Sequence, residues 1–163
     1  MVPLAAAALH AGVEEPERVL AVECGEGEAA LFLSREFPRA RVRGVDASAE
    51  AVSRATARVG LDPEGRIAFK PGTPRRLPFP DDHFDLVVQV EGRPSGAEAA
   101  RVLRGGGRLL LVHARPSRSA LLRSWTERRL ARSGFELLQE GGAGGGSFLV
   151  MGLRGAVPGG PSD

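Results

Sequence analysis

The sequence has almost no cysteine, almost no lysine and no long apolar run. Cys24 is the only cysteine among 163 residues, so no internal disulfide can form, which is typical of a cytoplasmic protein. No apolar stretch approaches the roughly 20 residues that cross a bilayer. The apolar start MVPLAAAALHAG lacks the basic leading region of a signal peptide. We therefore expect a cytoplasmic protein without a membrane span.

The basic residues give no sign of nucleic-acid binding. Lys70 is the only lysine among 22 basic residues, and the formal net charge is +2. The arginines are scattered among acids instead of forming a stripe, and their abundance beside Gly and Ala is typical of biased genome composition. We expect no nucleic-acid partner.

Apolar runs alternate with helical patterns along the chain, whose length suits one domain with a sizeable core. We predict strands at 18–23, 41–46, 66–70, 84–90, 108–113, 135–138 and 147–153. Helical patterns separate most of them, which demands a mostly parallel, doubly wound α/β sheet with helices on both faces. We expect a short N-terminal helix and linker over residues 1–17, the folded domain over 18–154 and a disordered tail over 155–163.

The last predicted helix, 117–133, is amphipathic. Its apolar side is predicted to pack inward and consists of Leu121, Leu122, Trp125 and Leu130. Gly134 ends the helix, and a glycine loop at 141–146 separates the two closing strands.

The rest of the chain is arranged around a glycine turn. The apolar run Val19 to Val22 breaks into Glu23-Cys24-Gly25-Glu26-Gly27, a helix follows, and the next strand ends on Asp46. In a doubly wound sheet these two strand tips lie on the same edge, where ligands bind at the reversal of strand order.

The turn has three possible interpretations: it binds one of two ligands, or its role is purely structural. Gly25 and Gly27 fit a loose dinucleotide fingerprint, G-x-G-x-x-A, with Asp46 placed 19 residues past Gly27. The turn also holds three acids, Glu23, Glu26 and Glu28. Like charges about 4 Å apart cost about 1–4 kcal/mol, so the acids disfavour a pyrophosphate and suit the sulfonium and ammonium of S-adenosylmethionine. Acids in a first helical turn are also favoured by the helix dipole alone.

Four segments, in family order, resemble class I S-adenosylmethionine-dependent methyltransferases. LPFPDDHFDLVV at 77–88 resembles LPFPDDSFDLVV, and RVLRGGGRLLLV at 101–112 resembles RVLKPGGRLLLV. VLAVECGEG at 19–27 is similar to VLDVGCGTG, and GFE at 134–136 matches the start of the family's sixth strand. The similar branch is the small-molecule domain typified by ubiquinone and menaquinone C-methyltransferases. The resemblance implies a Rossmann-like sheet of seven strands with an antiparallel last strand.

The resemblance also implies which residues contact S-adenosylmethionine. The backbone around Glu23, Cys24 and Gly25 would lie along the methionine and ribose, with Gly27 in the same turn. Asp46 would accept hydrogen bonds from the ribose hydroxyls. The remaining implied positions, at the adenine and the methionyl end, are Ala47, Thr73, Pro74 and Gln89. No metal site is expected.

Three positions depart from the family pattern. The acid on the first strand is replaced by Ala21, the first glycine of the turn by Glu23, and the acid that takes the adenine amino group by Thr73. Glu23 would either bring a carboxylate to the cofactor's ammonium or fill the pocket. The departures favour a second hypothesis, a catalytically inactive binding or assembly module of the same fold.

Two side chains are candidates for a general base in methyl transfer. His113 lies at the C-terminal tip of the fifth strand, and Glu91 lies on the loop after the fourth. Each has an ordinary alternative, as a hydrogen-bonded strand-end histidine and a solvated loop acid. The leading hypothesis is S-adenosylmethionine-dependent methyl transfer to a small-molecule acceptor, in an open site that a homodimer partner would complete. A dinucleotide-dependent oxidoreductase is the third hypothesis.

Overall fold

The computed structural model describes residues 2–115 and 120–155. Helices flank one mixed sheet. The strands are β1 (Arg18–Val22), β2 (Arg41–Asp46), β3 (Ile67–Pro71), β4 (Phe84–Val90), β5 (Leu103–His113), β6 (Phe135–Ala143) and β7 (Gly146–Leu153). The helices are α1 (Val2–Leu9), α2 (Glu28–Glu36), α3 (Ala49–Arg58), α4 (Gly96–Val102) and α5 (Ala120–Ala131).

The sheet has seven strands in the order β3-β2-β1-β4-β5-β7-β6. Strand β7 runs antiparallel to β5 and β6, and the other neighbouring pairs are parallel. The predicted doubly wound sheet with an antiparallel last strand is therefore confirmed. The strand order reverses between β1 and β4, where Val22 lies beside Gln89. The carboxyl ends of these two strands form the crevice that a doubly wound sheet offers to ligands.

Helices cover both faces of the sheet. Successive strand residues alternate between the faces, so Val19 and Ala21 belong to one apolar cluster and Leu20 and Val22 to the other. Helices α1 and α2 pack on the first face, and α4 and the C-terminal end of α5 pack on the second. The predicted N-terminal helix is thus part of the core, where Leu4 is 1% exposed.

Asp85 joins three strands at the amino-terminal edge of the sheet. Its Oδ2 accepts the backbone N–H groups of Glu17 at 2.8 Å and Arg18 at 3.0 Å, where β1 begins. Its Oδ1 accepts a hydrogen bond from the Arg104 guanidinium at 2.9 Å, near the start of β5. An open groove of about 400 Å³ lies at this edge, opposite the ligand crevice.

Two glycine-rich segments extend strands beyond their predicted limits. Strand β5 begins at Leu103 instead of Arg108, because Gly105 to Gly107 continue the strand through an irregular pairing opposite β4. Strand β6 runs to Ala143, because Gly141 and Gly142 pair with Phe148 and Ser147. The predicted loop at 141–146 therefore shrinks to a tight turn at Gly144 and Gly145, both with positive φ.

The predicted inward side of the last helix is mostly wrong. Leu130 is buried, but Leu121, Leu122 and Trp125 are 83%, 61% and 53% exposed. The helix packs on the sheet near its C-terminal end, so its first turns project their apolar side chains into solvent. Of the predicted tail, 155–163, all but Gly155 lies outside the described residues. No described helix combines the length and apolarity needed to span a bilayer.

Candidate active site

The glycine turn presents its backbone to the β1–β4 crevice. Cys24 N–H donates to the carbonyl of Val45 at 3.0 Å, and Gly27 N–H donates to the carbonyl of Cys24 at 2.9 Å. Gly25 has a φ of 52°, and a Cβ added there would meet no atom within 4 Å. The space in front of this backbone is therefore open, and a ligand can approach it closely.

The Asp46 carboxylate is fixed beside this turn. Its Oδ2 accepts the Gly25 N–H at 2.9 Å, and its Oδ1 accepts the Ser48 N–H at 2.9 Å. Each carboxylate oxygen can accept a further hydrogen bond, so the anchored group still has acceptor capacity. Ser48 in turn caps α3 by accepting the Ala51 N–H at 3.2 Å.

Glu23 crosses the crevice from β1 to β4. It has a φ of 53°, which is unusual for a residue with a side chain. Gln89 Nε2 donates to the Glu23 carboxylate at 2.5 Å. Gly92 lies so close to the Glu23 carboxylate that any Cβ there would collide with it. A carboxylate is thus held between the two strand tips.

The other two acids of the turn form exposed ion pairs with arginines of α3. Glu26 lies 2.9 Å from Arg54 and 3.7 Å from Arg58, and Glu28 lies 3.9 Å from Arg58. No Lys, Arg or His of the described residues lies within 4.0 Å of the Glu23 carboxylate. Glu26 and Glu28 are thus paired with exposed arginines, whereas Glu23 has no cationic partner among the described residues.

The positions implied for the adenine lie beside the end of β2. Gly72 N–H donates to the Asp46 carbonyl at 3.0 Å, which ties the chain after β3 to this tip. Thr73 and Arg76 then close a turn, with Arg76 N–H donating to the Thr73 carbonyl at 3.0 Å. Ala47 and Thr73 are exposed and Pro74 is half-buried. Their role at an adenine ring stays a prediction.

The two general-base candidates are neighbours. His113 Nδ1 lies 3.5 Å from Glu91 Oε2, and Glu91 Oε1 accepts the Ala114 N–H. The pairing of Val90 with Val112 brings them together, since each candidate directly follows one of these residues. A carboxylate held by a backbone donor thus faces the imidazole, which is the arrangement that orients a histidine base.

A family model described as a methyltransferase domain matches residues 19–107, more than half of the chain. The chain belongs to the methyltransferase domain family. This confirms the resemblance drawn from the four sequence segments. No group of three or more His, Cys, Asp or Glu side chains in the described ranges is arranged to hold a metal ion.

Curated relatives of this methyltransferase domain include two bacterial enzymes with known names. The chain is 35% identical over 133 residues to a fatty-acid O-methyltransferase of Mycolicibacterium smegmatis, covering 77% of this chain and 46% of the relative. It is 34% identical over 155 residues to a demethylmenaquinone methyltransferase of Deinococcus radiodurans, covering 88% of this chain and 63% of the relative. The chain thus spans about half to two thirds of the length of these proteins.

Solved structures share the fold at lower identity. A putative methyltransferase of Haloferax volcanii, in complex with the Trm112 methyltransferase activator, has a TM-score of 0.79 at 19% identity and covers 94% of this chain and 89% of its own. A SAM-dependent methyltransferase of Aquifex aeolicus has a TM-score of 0.76 at 17% identity, covering 93% and 89%. These likenesses establish the fold of the methyltransferase domain.

Cys24 is buried in the turn, and we do not expect it to act as a nucleophile. Its side chain is buried, and burial, with a smaller contribution from the negative charge of Asp46, raises the pKa of its thiol to about 11. The thiolate that nucleophilic chemistry requires is therefore scarce near neutral pH.

Sequence reasoning missed two glycines that shape the site. The Phe69 ring lies against Gly44, the middle of β2, where a Cβ would also come 3.0 Å from Cys24 Sγ. Gly92, with a φ of 77°, makes room for the Glu23 carboxylate. An isolated glycine inside a strand is a signal of close approach, so Gly44 could have been found, whereas Gly92 depends on a tertiary contact.

Proposed function

We propose that the chain is the cofactor-binding domain of an S-adenosylmethionine-dependent methyltransferase that acts on a small-molecule acceptor. The observation that carries this proposal is the anchored Asp46 carboxylate beside the open backbone of Gly25, at the reversal of strand order. A nucleoside with vicinal hydroxyls needs such a fixed acceptor. The residues present therefore fit the cofactor that the family implies.

The chain's own groups would bind the two polar ends of the cofactor. Asp46 would accept hydrogen bonds from the ribose hydroxyls with the acceptor capacity left after its two backbone donors. Glu23 would accept the ammonium, while Gln89 holds its carboxylate in the crevice. When bound, the cofactor supplies an electrophilic methyl group on a sulfonium.

His113 and Glu91 would remove the acceptor's proton. The imidazole of His113 would accept the proton that the acceptor oxygen, nitrogen or carbon gives up in methyl transfer, and would then release it to solvent. Glu91, itself held by the Ala114 N–H, would orient the ring and stabilise the imidazolium.

We infer an acceptor with a large apolar part. Two curated relatives are named for a fatty acid and for demethylmenaquinone, and both are mostly apolar molecules. We infer further that a second copy of the chain would complete an acceptor pocket that is open on its outer side. Sedimentation equilibrium of the purified chain would test this dimer, which a single monomeric species would refute.

A second candidate function is an inactive binding module of the same fold. The bond between Gln89 and Glu23 across the crevice favours it, because an extended side chain there competes with a ligand for the same space. Ala21, which replaces the family's acid, is 1% exposed and offers no polar atom from its side chain.

Calorimetric titration with S-adenosylhomocysteine separates the two candidates. We expect saturable binding to one site, and an absence of heat at millimolar ligand would contradict the enzyme proposal. The variant Asp46→Asn should weaken binding at least about tenfold, because a charge-assisted hydrogen bond contributes about 1.5–3 kcal/mol. Asp62→Asn is the matched control, since Asp62 also accepts a backbone N–H, from Ile67 at 2.8 Å, but at the opposite edge.

A methyl-transfer assay with apolar acids and quinols as acceptors tests the base. His113→Ala should lower kcat by about 10²–10⁴ while S-adenosylhomocysteine binding stays unchanged. The control is His83→Ala, because His83 precedes β4 at the opposite edge and stacks on Phe79 with ring centroids 6.2 Å apart. Equal losses in both variants would refute a catalytic role for His113.

A further inference from the structure

The outward face of α5 is apolar in its first half. Leu121 is 83% exposed, Leu122 61% and Trp125 53%, and they form one surface because they lie three and four residues apart. This helix carries one buried apolar anchor, Leu130. Single exposed apolar side chains are common on protein surfaces, whereas a cluster of three large ones is typical of an interaction site.

The same face is cationic in its second half. Arg128, Arg129 and Arg132 are exposed and follow Trp125 at helical spacing, and the Arg129 guanidinium lies 5.4 Å from the centre of the Trp125 ring. Within residues 2–115 and 120–155, no carboxylate lies within 4.0 Å of these three arginines. Arg123, on another side of the helix, is paired with Glu127 and with Glu140 at 3.0 Å.

The first half of α5 is level with the sheet edge that carries the proposed base. Arg123 contacts Glu140 of β6, which pairs with Leu149, and Leu149 pairs with Leu111 of β5. Leu111 is two residues before His113, so the first half of α5 is level with the carboxyl ends of the strands.

An anionic lipid surface complements this face better than a second copy does. Pairing this face with the same face of a second copy would leave the arginines without partners, because the one acid of α5, Glu127, is already paired with Arg123. An anionic membrane offers headgroup charge to arginines and an apolar layer to leucine and tryptophan in the same plane.

We propose that the outward face of α5 docks on anionic phospholipid and presents the His113 edge to an apolar acceptor held in the bilayer. The proposed docking depends only on the exposed residues of α5. The delivery of an acceptor rests on the proposed methyltransferase function.

Trp125 is the chain's only tryptophan and therefore reports on its own contact with lipid. Vesicles of phosphatidylglycerol and phosphatidylcholine should shift its emission to shorter wavelength, and brominated acyl chains should quench it. Vesicles of phosphatidylcholine alone should bind at least about tenfold more weakly, because neutral lipid lacks the electrostatic attraction. Equal binding to both vesicles, or no spectral change with either, would overturn the proposal.

Variants of the helix face distinguish lipid docking from self-association. Leu121→Glu should abolish the emission shift, whereas Leu61→Glu, at a site that is 101% exposed before β3, should leave it unchanged. Replacing Arg128 and Arg132 by glutamine should weaken anionic vesicle binding by about thirtyfold. Circular dichroism melting of each variant monitors folding. A wild-type dimer that Leu121→Glu converts to monomer, with no vesicle binding by either, would assign the face to self-association and overturn the proposal.

The same preparations separate this proposal from the proposed function. Vesicle binding is measured without cofactor, and S-adenosylhomocysteine binding is measured without vesicles. Loss of ligand binding with intact vesicle binding would remove the enzyme proposal and leave docking in place. Loss of vesicle binding with intact ligand binding would refute the docking proposal and leave the enzyme proposal in place.

Discussion

Replacing Glu23 by glutamine tests whether the carboxylate in the crevice binds the cofactor's ammonium. The variant Glu23→Gln keeps the length of the side chain and an oxygen that Gln89 can reach, but it removes the negative charge. A hydrogen bond to a charged group contributes about 1.5–3 kcal/mol. We therefore expect the Kd for S-adenosylhomocysteine to rise by about 10-fold to 150-fold in calorimetry at low salt.

A second variant separates binding from folding at the same residue. Glu23→Gly removes a side chain from a position with a φ of 53°, where a residue other than glycine costs on the order of 1 kcal/mol. The relieved backbone strain is offset by the loss of the hydrogen bond from the buried Gln89, so we expect the melting temperature to change by less than about 2–4 °C while ligand binding weakens. Weaker binding at a nearly unchanged melting temperature would be difficult to produce by a general change in stability.

The control for both variants is Glu26→Gln in the same turn. Glu26 is already paired with Arg54 at 2.9 Å, so its charge contributes little to a ligand in the crevice, and we expect less than about a twofold change in Kd. Tighter binding by Glu23→Gly than by the wild-type chain would show that Glu23 obstructs the crevice. That result would refute the assignment of Glu23 as the ammonium ligand.

Three further predictions concern the stability of the folded domain. The pKa of Cys24 is raised to about 11 from an ordinary 9.0, so the unfolded state loses this proton first and stability falls as the pH rises from 9 to 11. Urea unfolding at pH 8 and 10 should show a loss on the order of 1 kcal/mol that Cys24→Ala lacks. Gly44→Ala should destabilise the domain by about 1–3 kcal/mol in urea, since its Cβ meets the Phe69 ring; unchanged stability would contradict that packing. Arg101→Lys should lower the free energy of unfolding by about 1–3 kcal/mol, because Arg101 holds Glu98 through two bonds of 2.7 and 3.0 Å that a lysine cannot duplicate, and Arg101→Met should cost at least as much.

The sequence was sufficient to predict the elements whose signals are local. Apolar runs identified β1, β2 and β4 within about one residue, because buried parallel strands are almost continuously apolar. Ser48 is of a residue type that favours N-caps, and its side chain accepts the Ala51 N–H. The same local reasoning placed His113 at the end of its strand and Glu91 directly after its own.

Features that depend on tertiary contacts could not be predicted from the sequence. The register of β4 against β5 places Glu91 beside His113, and no local pattern encodes that register. The ion pair between Glu26 and Arg54 joins the turn to a different helix, which the residue types of the turn do not indicate. The periodicity of α5 predicted a buried side without showing that only its last turns reach the sheet, and Trp125 was assigned to the core for that reason.

Side-chain hydrogen bonds join β1 and β4 at both ends. The single carboxylate of Asp85 ties the beginnings of β1, β4 and β5 together through two backbone amides and Arg104. Beyond the last paired residues, Val22 and Gln89, the segments that follow β1 and β4 are joined by the side-chain hydrogen bond between Gln89 and Glu23. Separation of these two segments above the crevice would therefore require the release of that hydrogen bond, while the strands below it stay paired.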